Sequence, residues 1–478
     1  MYMFEKSFLP LFFFFQVFIT LADADSRLPD LPLSVPNPKP PVITQVVTVL
    51  EGQDLQAALT AATPGTNIDC EGTFVGNFYI PGVSSVELSG NCILRSPNTY
   101  PAFMNISATE GFGWTGNIAD RAAQNWWISG ITIETSGPIY HAVVISNDCD
   151  PTPQGMPSGI TFSNVTVNGL YMQDGQQNGM LLDGENISLL DSEITQWQSS
   201  GILNTEANAV TIICGTGPYL FQGNTMAASS EDFFIAAPGA SPTVPSSQIT
   251  PSDITFEENL LTKDLSWIGT PYGQDKNCWE SKNSERVQIS GNTIENCFPG
   301  AQTGEGILLT PRIGLGNPVQ YFSVVSDTTI TGNTIQAGVG VSVAGLDSNC
   351  PSVPPCVYSA RSLLAGNLVN VSVAPNGVAG SYGWCVQIDE AQDLILYRMS
   401  CTTDGMQSLF VDTAPCTACS VDFASFNADF AGQGIIGPAA FFQGAGDNNT
   451  INNVAVSGIT QSAFNLEWLP YCSTCVLK

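Results

Sequence analysis

The sequence predicts an all-β chain wound as a solenoid of short parallel strands, with about 12 coils and an N-terminal cap. Three observations carry this. A short phrase returns at a near-constant interval along most of the 478 residues. The phrase has the grammar of a strand followed by a turn. Sustained helical periodicity is missing, apart from one short stretch near residue 57.

The phrase is plainest in "ISGNTIENC" (289–297) and "ITGNTIQAG" (330–338), which place Asn292 and Asn333 at the same point. Its template is an apolar residue, two residues, a slot, one residue and a second apolar residue. The slots are Asn91, Ile131, Val165, Ser192, Asn224, Asn259, Asn292, Asn333, Asn367, Met399, Phe426 and Val454. The mean step of about 33 residues lies in the range of repeat architectures. Propeller blades are longer and carry a closing Trp-Asp signature that is absent here. In a solenoid, like positions stack. Asn224 to Asn367 are therefore expected to form a column of amides that bond one another and the turn backbone. The phrase repeats because the same corner is turned once per coil.

In chain order, residues 1–24 read as a secretory leader: Lys6, an apolar run, then Ala22-Asp23-Ala24. Residues 25–45 are Pro-rich and aperiodic, a linker or a strap lying on the domain. Residues 46–478 are expected to be one β-helical domain. Residues 52–63 suit the N-terminal cap that a solenoid needs. A coil needs fewer residues than the period supplies, so the surplus must leave as loops such as "TPYGQDKN" and "AAPGASPTVPSSQITPSD".

Fourteen Cys in a chain with a leader imply disulfides, with Cys70/Cys92, Cys278/Cys297 and Cys350/Cys356 suited to local staples. An oxidising compartment argues against zinc at Cys416/Cys419 and Cys472/Cys475. Asn105, Asn186, Asn370 and Asn448 open glycosylation sequons. The net charge of −29 disfavours nucleic acid and anionic membranes as partners. No stretch after the leader is long enough to cross a bilayer. The expected product is a secreted, extracellular monomer.

The stretches "PSDITFEENLLTKDLSWIGT", "KNCWESKNSERVQISGNTIENCF" and "GEGILLTPR" resemble the pectin-lyase-like, right-handed parallel β-helix superfamily, and most of all its uncharacterised secreted repeat proteins. The resemblance spans roughly residues 45–460. It implies a polysaccharide partner and admits lyases, glycosidases, epimerases and non-catalytic adhesins, among which fold does not choose. The N-T-D, D-D, G-H-G and R-I-K motifs of polygalacturonase-like members are missing. "NTE" (Asn204–Glu206) is the nearest approach. The one histidine, His141, sits in an apolar alternating run that suits packing better than catalysis.

Cations are informative because they are scarce. Lys263, Lys276, Lys282, Arg286 and Arg312 fall within about two coils. Alternation in "NCWESKNSE" turns Trp279 and Ser281 inward and Glu280 and Lys282 outward, with Arg312 at a similar strand end one coil later. Asp183, Glu206 and Asp389 are expected near the same column. Such a groove suits β-elimination of a uronate-containing glycan. Lys282, Arg312 and Glu280 would be catalytic, and Lys263, Lys276, Trp267 and Tyr272 would bind substrate. Asp183, Glu206 and Asp389 would supply hard oxygen ligands for Ca²⁺. Trp279 could add a stacking face. The same charges also fit plain coil-to-coil ion pairing. Hydrolysis by two carboxylates is the alternative chemistry, and glycan binding without catalysis the alternative class.

Overall fold

The computed structural model describes residues 28–97, 100–106, 122–135, 139–146, 149, 155–169, 178–198, 206–236, 250–270, 276–312, 323–345, 359–389 and 391–404. Beyond these it gives the backbones of short strands up to Val476–Leu477. The expected leader, the loop holding Tyr272, the Cys350/Cys356 pair and the last four Cys lie outside the described residues.

The chain is a right-handed parallel β-helix. Among the described residues its strands form a 26-stranded and a 12-stranded sheet, and every strand pairing there is parallel. Each coil lays two strands on the first sheet and one on the second. Ser252–Glu257, Leu260–Thr262 and Trp279–Ser281 make one such coil. Inward side chains of successive coils stack into one core. Phe233 lies 4.8 Å from Phe221, 4.7 Å from Phe256 and 5.9 Å from Trp279, ring centre to ring centre. All four are fully buried. Among the described residues no helix is long and apolar enough to cross a membrane.

The repeated phrase is one corner of the coil. The residue before the slot is left-handed, as at Gly291 (φ 65°) and Gly332 (φ 64°), which is where glycine is favoured. The slot residue then turns inward. Each Asn from Asn224 to Asn333 donates its side-chain amide to the next Asn Oδ1 (2.9–3.1 Å), which also accepts that residue's own backbone N–H. The other amide hydrogen goes to a strand carbonyl, such as Phe256 O at 3.1 Å from Asn292. The register carries the slot from Ile131 to Met399. It misses at two expected positions. Ile93 pairs with Thr132, so Cys92 and not Asn91 faces Ile131, and Asn91 is exposed. Phe426 pairs with Cys401, two residues past the slot. Both misses arise where apolar residues repeat on the strand at the template's spacing but out of step with the corner.

The helix Leu55–Ala61 begins at Asp54, whose carboxylate accepts from Ala57 N at 2.9 Å, and buries Leu55 and Leu59 against the first coil. Disulfides join Cys70–Cys92, Cys149–Cys214, Cys278–Cys297 and Cys385–Cys401. The second and fourth were not singled out by sequence spacing.

A second corner, where the chain enters the first sheet, also uses left-handed residues. Ser85, Asn125, Asn186, Asp253, Arg286, Asp327, Arg361 and Asp393 all have φ between 50° and 61°. On its later rungs, charge alternates one rung at a time. Arg286 forks onto Asp253 (2.8 and 2.9 Å), and Arg361 forks onto Asp327. Residues 28–44 run along this corner. Asp327 Oδ1 accepts from Asp30 N (3.1 Å), and Asp253 Oδ1 accepts from Leu33 N (2.9 Å). Those two rungs are two strand spacings apart, about 9.6 Å, which three extended residues at about 3.1 Å each just span.

Candidate functional site

The second sheet presents its charged side chains over three adjacent rungs. Phe233 pairs with Trp279, and Trp279 with Ile307. Two residues before these lie Glu231, Asn277 and Glu305, which therefore stack on one column about 4.8 Å apart. Glu280 sits in register between Phe234 and Leu308, on the outward face as alternation predicted. It is nevertheless buried, as is Glu231.

Hydrogen bonds knit the group. Asn277 donates to Glu280 Oε2 and Gln302 Oε1, both at 2.7 Å. Lys282 Nζ lies 3.3 Å from Glu280 Oε1 and 4.4 Å above the Phe234 ring. Lys276 pairs with Glu206 at the surface and lies 3.7 Å from Glu231 Oε1. Thr303 donates to Glu305 Oε1 at 2.6 Å.

The two central carboxyls titrate in opposite directions. Burial pushes Glu231 up to about 8, with the charge of Glu280 adding to it and Lys276 opposing. Burial pushes Glu280 up as well, but the charge of Lys282 and the hydrogen bond from Asn277 outweigh it and hold it below the usual range. Near neutrality one carboxyl thus keeps its proton and the other is ionised, an acid beside a carboxylate. Lys276 is raised: burial opposes its charge, and Glu231 and Glu206 more than compensate. Burial also raises Glu305.

The structure brings Glu280, Lys282, Lys276 and Glu206 together. Arg312 is one rung above Lys282, its N–H donating to the Lys282 carbonyl at 3.1 Å. Lys263 is elsewhere in function. It is fully buried and donates to the carbonyls of Ala228, Ser229 and Ser230, 3.9 Å from Asp232, so its ammonium closes a turn. Trp267 and Trp279 are buried and offer no ring to solvent.

The expected Ca²⁺ ligands do not converge. Asp183 is sealed by bonds from Ser146 Oγ (2.8 Å), Ile213 N (2.7 Å) and Cys214 N (3.0 Å). Its nearest sulfurs, Cys149 and Cys214, form a disulfide and not a thiolate pair. Asp389 ends a strand six rungs further on, about 29 Å away. These three acids cannot hold one ion. Sequence reasoning also missed Glu231, Asn277 and Glu305. The register of the Asn phrase was the signal that could have aligned them.

His141 is buried and accepts a hydrogen bond at Nε2 from Asn178 (2.9 Å), with the proton assigned to Nδ1. Burial lowers its pKa to about 4. It is neutral and packed, as its sequence context predicted.

No protein-family model matches the sequence. No curated protein matches it either. Solved structures do. The tailspike protein of E. coli bacteriophage HK620 in complex with a pentasaccharide is 12% identical, with 84% of this chain and 67% of that one covered and a TM-score of 0.52. A point mutant of that tailspike, also with a pentasaccharide, is 12% identical, covers 88% of this chain and 74% of that one, and has a TM-score of 0.52. At such identity the likeness defines the class by architecture: a parallel β-helix.

Proposed function

We propose that this protein is an extracellular, polysaccharide-active β-helix that hydrolyses glycosidic bonds at the Glu231–Glu280 pair. One observation carries the reading: two buried carboxyls, each with a lysine within 3.7 Å, whose surroundings drive their pKa values apart. Glu231 donates its proton to the leaving glycosidic oxygen. Glu280 attacks the anomeric carbon, and water then releases the sugar while Glu231 acts as base. This double displacement retains the anomeric configuration, a route that uses carboxyls about 5 Å apart, where inversion uses about 6.5–9.5 Å. Lys282 and Arg312, at the rim, receive an anionic substituent of the glycan. Substrate reaches the pair by displacing the Lys276–Glu206 ion pair, whose Glu206 is the most exposed member.

β-Elimination is the second reading, because Lys282 and Arg312 occupy adjacent rungs. It is less supported, since the Lys282 ammonium is committed to the buried Glu280 carboxylate, a partner that favours its charged form over the neutral one a lyase base needs. A Ca²⁺-dependent route would need ligands other than Asp183, Glu206 and Asp389. Digestion of a polysaccharide panel separates the cases. New reducing ends without ultraviolet absorbance mean hydrolysis. Absorbance from an unsaturated uronate means elimination. Binding with neither means a glycan binder. Glu280→Gln and Glu231→Gln should each lower a hydrolytic rate by about 10²–10⁴-fold.

A further inference from the structure

The entry corner of the first sheet changes character along the helix. From Asp253 to Asp393 its left-handed residues are charged, and Asp253, Arg286, Asp327 and Arg361 pair with one another or hold the strap. From Ser85 to Asn186 they are neutral. There the strap stands off the sheet and encloses a cleft of about 360 Å³. Asn125 and Asn186 line it, with Trp127 beside them and Lys39 on the strap. Among the described residues, no side-chain hydrogen bond engages either Asn amide, and no carboxylate pairs with Lys39. The volume is in the range of small-ligand sites, which combine an apolar surface with a few polar groups. Two amides, each donor and acceptor, match the vicinal hydroxyls of a sugar. The half-buried indole offers it an apolar face.

We infer that this cleft is a carbohydrate-binding site, separate from the Glu231–Glu280 pair, for one or two sugar units bearing a carboxylate that Lys39 receives. The ligand class rests on the polysaccharide reading, whereas the site does not depend on catalysis. Asn186 lies two rungs from Asp253, which opens the coil of Glu280, about 9.6 Å along the axis.

The test uses the full chain, made without N-glycosylation, with trigalacturonate and cellotriose as probes. Trigalacturonate should shift the Trp127 indole N–H resonance and bind at least tenfold tighter than cellotriose. Lys39→Glu, an exposed substitution, should erase that preference. Asn125→Ala with Asn186→Ala should weaken both probes about tenfold. Glu280→Gln should leave binding unchanged while removing any reducing-end release, so failure of the catalytic reading would not mimic failure of this one. Equal affinity across the Lys39 and Asn variants would overturn the inference. So would a native glycan attached to Asn186 and seated in the cleft.

Discussion

Two corners of the same coil solve the same problem with opposite chemistry. At the slot corner, the stack runs through neutral Asn side chains wholly inside the protein. At the entry corner, from Asp253 to Asp393, it runs through alternating Asp and Arg, with the arginines about a third exposed and covering the Asp253 and Asp327 carboxylates. The interior penalises charge, so it uses groups that donate and accept at once. The surface tolerates charge and gains something else: carboxylates free to hold the strap. Arginine is an unusual left-handed residue, at a cost of about 1–2 kcal/mol. A forked bond to Asp helps to offset that cost at Arg286 and Arg361.

The comparison is broken most severely at the interior corner. Asn292→Ala removes the acceptor for the Asn259 N–H and amide and the donor to Phe256 O. Stranding these buried groups should cost roughly 3–5 kcal/mol. Denaturant unfolding should show the loss at any pH and at any ionic strength. A loss below about 1 kcal/mol would mean that water fills the gap and the ladder is not the spine of the fold.

The acidic cluster tests what happens where charge is buried after all. Glu231 is raised from 4.5 to about 8, so the folded state binds its proton more tightly than the unfolded chain. Its contribution is fully present below about pH 4.5 and is lost as pH rises toward 8. His141 runs the other way. Its folded pKa of about 4 lies below 6.5, so stability falls as pH drops through that window. Asp253 is also lowered: burial raises it, but Arg286 and Leu33 N–H prevail, so it too weakens the fold in acid. Melting temperature should therefore decline on both sides. Glu231→Gln should flatten the limb from about pH 5 to 8 and leave the acid limb intact. An unchanged alkaline limb would remove Glu231 as its cause.

How much of this was legible follows from what repeats. The slot corner repeats in residue type as well as in position, so Asn224 to Asn367 could be read as a column directly. The entry corner repeats only in backbone conformation. Its occupants are Ser, Asn, Asp and Arg, and no residue-level phrase announces their left-handed φ. Glu280 and Lys282 were found because strand alternation is local. Glu231 was missed because it stands on another coil, 49 residues earlier, in a stretch, "SSEDFF", that offers no period. Lys263 was misjudged for a related reason: scarcity of cations marked it as functional, whereas its three carbonyl acceptors come from a turn a coil away.

The smallest expected effect sharpens the comparison at the surface. Arg286→Ala should cost only about 1 kcal/mol, since the guanidinium is a third exposed and its pair with Asp253 is partly screened by solvent. Its signature is conditional where that of Asn292→Ala is not. The loss should shrink in high salt, where the wild-type pair is already weakened. It should also shrink in acid, once Asp253 is protonated in both proteins. The strap adds a second readout. Asp253 accepts from Leu33 N as well as from Arg286, so removing the arginine leaves that carboxylate less firmly placed. Amide exchange at Leu33 should quicken in the variant, while exchange at Asn259 in the interior column should not. Equal quickening at both would mean that the two corners unfold as one unit, and the division between a neutral spine and a charged latch would fail.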